Sequence, residues 1–191
     1  MTPAAAKKLA TYADLEALPE DVRAELIGGQ IVALPAPLPR HSKVARALGR
    51  FIGGPFDDDD GHGGPGGWWI FPEVDVQLGA EVVRPDVSGW RRGRLLDPGD
   101  IRPITVAPDW VCEVLSPSNE AHDRVYKRNL YAGAGVGYYW LINPAERVLE
   151  ALALRDGAWG ELGAYDDTAT AVRIEPFQQV ELDVGRLFLP R

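Results

Sequence analysis

Cysteine is almost missing from this chain: Cys112 is the only one in 191 residues. No disulfide can close within the chain, a multi-cysteine zinc site is excluded, and a reducing compartment fits. Histidine is nearly as scarce, and His41, His62 and His122 share no metal-ligand spacing. Serine occurs at Ser42, Ser88, Ser116 and Ser118 alone, and none lies in a G-x-S-x-G elbow. The stretch "HGGPGG" at 62–67 resembles the oxyanion loop of some hydrolases, but without that serine it reads as a surface loop. "GAGVG" at 133–137 lacks the G-x-G-x-x-G spacing and follows a helix pattern, so it reads as a helix stop and not as a dinucleotide site. No run approaches the roughly 20 apolar residues of a membrane span. The start, "MTPAAAKKLATYADLEALPE", has no apolar segment of signal-peptide length. These absences predict a cytoplasmic protein with no membrane partner. Positive charge is also short: 28 acids against 20 bases give −8. That excludes a broad DNA-coating surface and leaves room for a local basic site, with arginines gathered at Arg84, Arg91, Arg92 and Arg94.

What is present is a globular composition, 46% apolar and 25% charged, long enough to bury its own core. The expected organisation is a flexible tail over 1–10 and one domain over 11–191. "TYADLEALPE" predicts a short helix with Thr11 as N-cap, and "AELIGGQIVAL" two strands about a Gly28-Gly29 turn. "PLPRHSKVARALGRFIGG" has Val44, Ala45, Leu48, Phe51 and Ile52 at helical spacing. "GGPFDDDDGHGGPGG" is a loop by composition, with its acid run Asp57 to Asp60 turned to water. "WWIFPEVDVQLG" and "EVVRPDVSGW" each read as one strand, and "WVCEVLSPS" as a core strand. A helix follows over "SNEAHDRVYKRNLYAGAG", opened by Ser118 or Asn119 and stopped at Gly133. "VGYYWLIN" is another core strand, "RVLEALAL" and "GAWGELGAY" form a hairpin about "RDGA", and the end packs as a short strand and turn. This order predicts a mixed α/β or α+β sheet flanked by helices.

The acids carry the chemical signal. Glu113 sits among Trp110, Val111, Cys112, Val114 and Leu115, and Asp86 heads the strand "PDVSGW". A buried carboxylate must be paired, hydrogen-bonded, metal-bound or neutralised. Two acids on neighbouring strands can share a hard cation such as Mg²⁺, which prefers oxygen ligands and keeps waters. Asp123, Lys127 and Tyr131 follow at four-residue steps and so share one helix face. That face is open to two readings. One is an exposed Asp123–Lys127 pair worth little; the other points Lys127 at the two carboxylates.

"RAELIGGQIV", "VRPDVSGW", "EVLSPSNEAHDRVYKRNLYAGAGVGYYWLINP" and "EPFQQVELDV" together resemble the Uma2 family, placed in the PD-(D/E)xK nuclease superfamily. The resemblance spans roughly Tyr12 to Leu189. It implies a restriction-endonuclease-like core and Mg²⁺-dependent hydrolysis of DNA phosphodiesters, with Mn²⁺ as a substitute ion and a homodimer as the assembly. Asp86 matches the Asp of the PD half-motif and Glu113 the (D/E) position, together the implied metal ligands. Leu115 stands where the superfamily lysine would be, and Lys127 takes that lysine's role from the next helix. Glu25 matches a recurrent family acid and is counted with the catalytic set. His41, Asp123 and Tyr131 are accessory, and Arg84, Arg91, Arg92, Arg124 and Arg128 are candidate phosphate contacts. Tyr138 replaces an acid common at its position. A catalytically inactive nucleic-acid-binding or assembly module of the same fold is the competing reading. A hydrolase for a smaller phosphoester is the third.

Overall fold

The computed structural model describes residues 9–19, 21–58, 64–117 and 119–191. Most of the expected tail, Asp59 and Asp60 of the acid run, His62 and the proposed cap Ser118 lie outside the described residues.

Helix α1 (Tyr12–Glu16) starts at Thr11, whose backbone N–H and hydroxyl both donate to Asp14 Oδ2 at 2.8 and 2.7 Å. Both bonds run from Thr11 to one Asp14 oxygen, which reaches back to the N–H at the helix start. Strands β1 (Ala24–Ile27) and β2 (Gln30–Ala33) form a hairpin across Gly28 and Gly29. Both glycines have positive φ, 56° and 67°, as a two-residue hairpin turn of this kind requires.

Helix α2 (Pro39–Leu48) continues as a wider, π-wound segment over Gly49–Asp58. The expected loop therefore starts later than composition suggests. Ile52 and Phe56 are fully buried, and their packing overrides the low helix propensity of Gly53, Gly54 and Pro55.

Both of the long strands expected next are broken in two. "WWIFPEVDVQLG" gives β3 (Trp68–Pro72) and β4 (Val76–Leu78), separated at Glu73, where φ is 52°. "EVVRPDVSGW" gives β5 (Glu81–Val83) and β6 (Val87–Arg91), separated at Arg84-Pro85-Asp86. The halves belong to different sheets. One is four-stranded, in the order β2-β1-β5-β4, and antiparallel. The other is six-stranded, in the order β10-β9-β8-β7-β6-β3.

In the larger sheet β7 (Trp110–Val114) and β8 (Tyr138–Asn143) are the one parallel pair. A parallel pair needs a crossover, supplied by a helix that is π-wound over His122–Lys127 and α-helical in α3 (Arg128–Gly133). Strands β9 (Val148–Arg155) and β10 (Ala158–Asp166) turn at Asp156 and Gly157, both with positive φ. The C-terminal stretch makes a single bridge, Val172 to Leu182, and a 3-10 turn at Val184–Leu187.

Strand β7 sorts its side chains by alternation. Trp110, Cys112 and Val114 join the core under α2 and the C-terminal turn. Val111 and Leu115 join the opposite core with Tyr131 and Tyr139. Glu113 has the parity of Val111 and Leu115, so it points toward the crossover helix.

Candidate active site

Four elements deliver three acids and a histidine. The β6–β7 register pairs Val87 with Cys112, and one step further sets Asp86 beside Glu113. The Val114 N–H donates to Asp86 Oδ2 at 2.7 Å, and the Asp86 N–H lies 3.4 Å from Glu113 Oε2. Strand β1 supplies Glu25, whose Oε1 accepts from the Arg84 N–H at 2.8 Å. The first turn of α2 supplies His41, with Nε2 3.1 Å from Asp86 Oδ1.

Lys127 closes the group from the crossover helix. Its Nζ lies 2.9 Å from Glu25 Oε1, 3.0 Å from Glu113 Oε1 and 3.6 Å from Asp123 Oδ1. The Tyr131 hydroxyl donates to the same Glu113 Oε1 at 2.6 Å. All of these side chains are buried, so Asp123–Lys127 is not an exposed surface pair. The helix face predicted from i, i+4 spacing is turned inward over the sheet.

Burial first, and then the nearby charges of Asp123, Asp86 and Glu25, push the Glu113 carboxyl well above its ordinary range, although Lys127 pulls it down. Burial also raises Asp123 to about 6. For Lys127, burial alone favours the neutral amine, but Glu113, Glu25 and Asp123 outweigh it, and its pKa is raised. The three acids therefore favour the ammonium form of Lys127. His41 is likewise raised: burial opposes the charge, and the bond to Asp86 more than offsets it.

His41, Asp86, Glu113, Asp123 and Lys127 line a cleft of about 370 Å³. Arg23, Arg40 and Arg84 are there too. Of the arginines named from sequence, Arg84 alone lines this cleft. Its guanidinium is engaged by Asp75, at 2.7 and 2.8 Å. Arg91 stacks over Trp68 at 4.1 Å and Arg92 over Trp69 at 4.2 Å. Arg124 is bound by Glu120 and Glu150, and Arg128 lines a separate groove beside Trp159.

Sequence reasoning passed over Asp75, a buried acid held between Arg84 and Arg102. Its signal was the one that exposed Glu113: an acid between apolar neighbours, here Val74 and Val76. Arg23 and Arg40 carried no such mark.

The donor set suits a hard cation. Glu113 Oε1 is taken by Lys127 and Tyr131, while among the described residues Oε2 meets only the long contact to Asp86 N–H and retains lone pairs. Mg²⁺ is commonly held by one or two carboxylates, with waters and phosphate oxygens completing its shell. Among the described residues no three His, Cys, Asp or Glu form a closed metal cage. The carboxylates that would offer such an ion oxygen ligands are Asp86 and Glu113, which both line the cleft.

The mixed sheet with its helical crossover belongs to one class of fold, the restriction-endonuclease-like one. A solved structure described as a putative nuclease belonging to DUF820, from Anabaena variabilis, superposes with a TM-score of 0.74 at 23% identity, covering 93% of this chain and 97% of that one. The chain belongs to the Uma2 family, whose model is described as "Putative restriction endonuclease" and matches residues 9–185. No curated protein matches it. Among the described residues no helix is long and apolar enough to cross a membrane.

Proposed function

We propose that this chain hydrolyses DNA phosphodiester bonds with the help of a divalent cation, Mg²⁺ or Mn²⁺, held by Asp86 and Glu113. The observation that carries this reading is the convergence of Asp86, Glu113 and Lys127 from three separate elements on one cleft, with Glu25 of a fourth held 2.9 Å from Lys127 Nζ. When bound, the ion would polarise a phosphate oxygen and lower the pKa of a coordinated water. Tyr131 and Lys127 fix one oxygen of Glu113 and leave the other toward the cleft. The Val114 N–H and His41 orient Asp86. Lys127, held charged by three acids, presents an ammonium where negative charge grows on a phosphate under attack. Glu25 anchors Lys127 and the backbone of Arg84. A homodimer would present two such clefts, one to each strand of a duplex, and is the assembly this reading favours.

The test is nicking of supercoiled plasmid by the wild type, Asp86→Asn and Glu113→Gln, with Mg²⁺, with Mn²⁺ and with chelator. The expected result is cleavage by the wild type with either ion only, and a loss of at least about 100-fold in each variant. Equal cleavage by all three proteins would sink the assignment. DNA binding without cleavage in any ion would favour the inactive binding module instead.

A further inference from the structure

Between Glu25 and Asp57 the chain carries no acid at all, in a protein with 28 acids and a net charge of −8. The same stretch holds Arg40, Lys43, Arg46 and Arg50, all on α2 and its π-wound continuation. At 3.6 residues per turn the four lie within about 120° of one another around the axis. The large buried side chains Val44 and Leu48 lie outside that arc, and of the helix's buried residues the small Ala47 falls within it, near its Arg40 end. Arg186, from the C-terminal turn, joins them. Its carbonyl accepts from Lys43 Nζ at 2.8 Å, and its guanidinium lies 4.6 Å from the Phe51 ring, which Arg50 also approaches, at 5.6 Å.

Among the described residues little answers this charge. Burial and then the cations Arg46, Arg50 and Arg186 lower the pKa of Lys43. Asp183 reaches only 4.0 Å from Arg186, and both are half-exposed. Asp57, the next acid along the helix, is turned to the Ile70 N–H at 3.1 Å and to Arg92. Like charges held together this way favour a polyanion partner. The same helix lines the cleft through Arg40 and His41, so the stripe runs outward from the point where a phosphodiester would be cut. From Arg40 to Arg50 is about 15 Å of helix, the axial length of about four phosphates of one strand.

We propose that the outer face of α2, with Arg186, is a track for the phosphate backbone of duplex DNA flanking the cleft. The track extends the nuclease reading of the cleft and rests on it. It contacts phosphates and not bases, so it adds affinity without sequence preference.

The experiment compares the wild type with Arg46→Gln/Arg50→Gln. Both positions are exposed, and thermal melting checks that the fold is kept. Binding of a labelled DNA duplex is read by fluorescence anisotropy across a salt series. Turnover of bis(p-nitrophenyl) phosphate, a diester small enough to need only the cleft, is measured alongside. Each lost phosphate contact lowers the salt slope by about 0.9, so the double variant's slope falls by about 2. The wild type should then lose about tenfold more affinity than the variant between about 50 and about 200 mM salt. Small-diester turnover should stay unchanged. Equal salt slopes in the two proteins, or no duplex binding by the wild type, would overturn the track. A stripe that instead governs binding to phosphatidylserine vesicles, with duplex binding unmoved, also overturns it. If neither protein turns over any diester while the slope still falls, the track stands and the hydrolytic reading of the cleft is what fails.

Discussion

Replacing Lys127 with Met keeps most of the side-chain volume and removes the charge. Three carboxylates then lose their shared cation: Glu25 at 2.9 Å, Glu113 at 3.0 Å and Asp123 at 3.6 Å, with all four side chains no more than 6% exposed. Breaking a buried pair from one side costs about 3–5 kcal/mol, because the remaining charge is stranded away from water. Against a typical stability of about 5–15 kcal/mol that is a large fraction. At about 2–4 °C per kcal/mol for a chain of this size, Tm should fall by roughly 6–20 °C near neutral pH.

The loss should also depend on pH. Asp123 is raised from its ordinary 3.8 to about 6 in the fold, and Glu113 is raised well above its own ordinary range. A raised carboxyl means that the folded state holds a proton the unfolded chain has already released. Its contribution to stability is full below the unfolded value and is lost as pH rises through the folded one. Without Lys127 both carboxyls rise further, so the variant's deficit should shrink as pH falls from about 8 to about 5. Thermal melts by circular dichroism at the two pH values measure this. A Tm within about 2 °C of wild type at the higher pH, or a deficit that grows on acidification, would refute the reasoning.

Tyr131→Phe removes the 2.6 Å bond to Glu113 Oε1 and should cost about 1.5–3 kcal/mol in urea unfolding, the range for a hydrogen bond to a charged group; an unchanged midpoint would mean that Lys127 alone holds that oxygen. Cys112 is fully buried, and burial, with Asp86 and Glu113 adding to it, pushes its thiol well up. Native protein should not react with Ellman's reagent and should release one equivalent in denaturant; rapid reaction of the folded protein would contradict the packing of β7.

Much of the site could be read from residue patterns because two strong rules met there. A charge among apolar neighbours is costly, which singled out Glu113, and four-residue steps share a helix face, which set Lys127 and Tyr131 beside it. Glu25 and His41 were different: only resemblance pointed to them, since their route to Lys127 and Asp86 crosses from the small sheet and from α2. The split of the two long strands was hidden for a local reason. Glu73 takes positive φ without being glycine, and Pro85 sits in a stretch whose apolar alternation runs on past it. Arg124 shows the limit of charge counting. It lies near the site in sequence, yet two acids on its own helix and on β9 already bind it.

The most direct measurement is single-turnover cleavage of a DNA duplex in Mg²⁺ by Glu113→Gln, with the wild type as reference and melting curves to match the folded fractions. This substitution keeps the shape of the side chain and removes the charge that the cleft is argued to hold for a cation. A rate lower by at least about 100-fold in a folded variant is the predicted result. A folded Glu113→Gln protein that cuts at the wild-type rate would contradict the account.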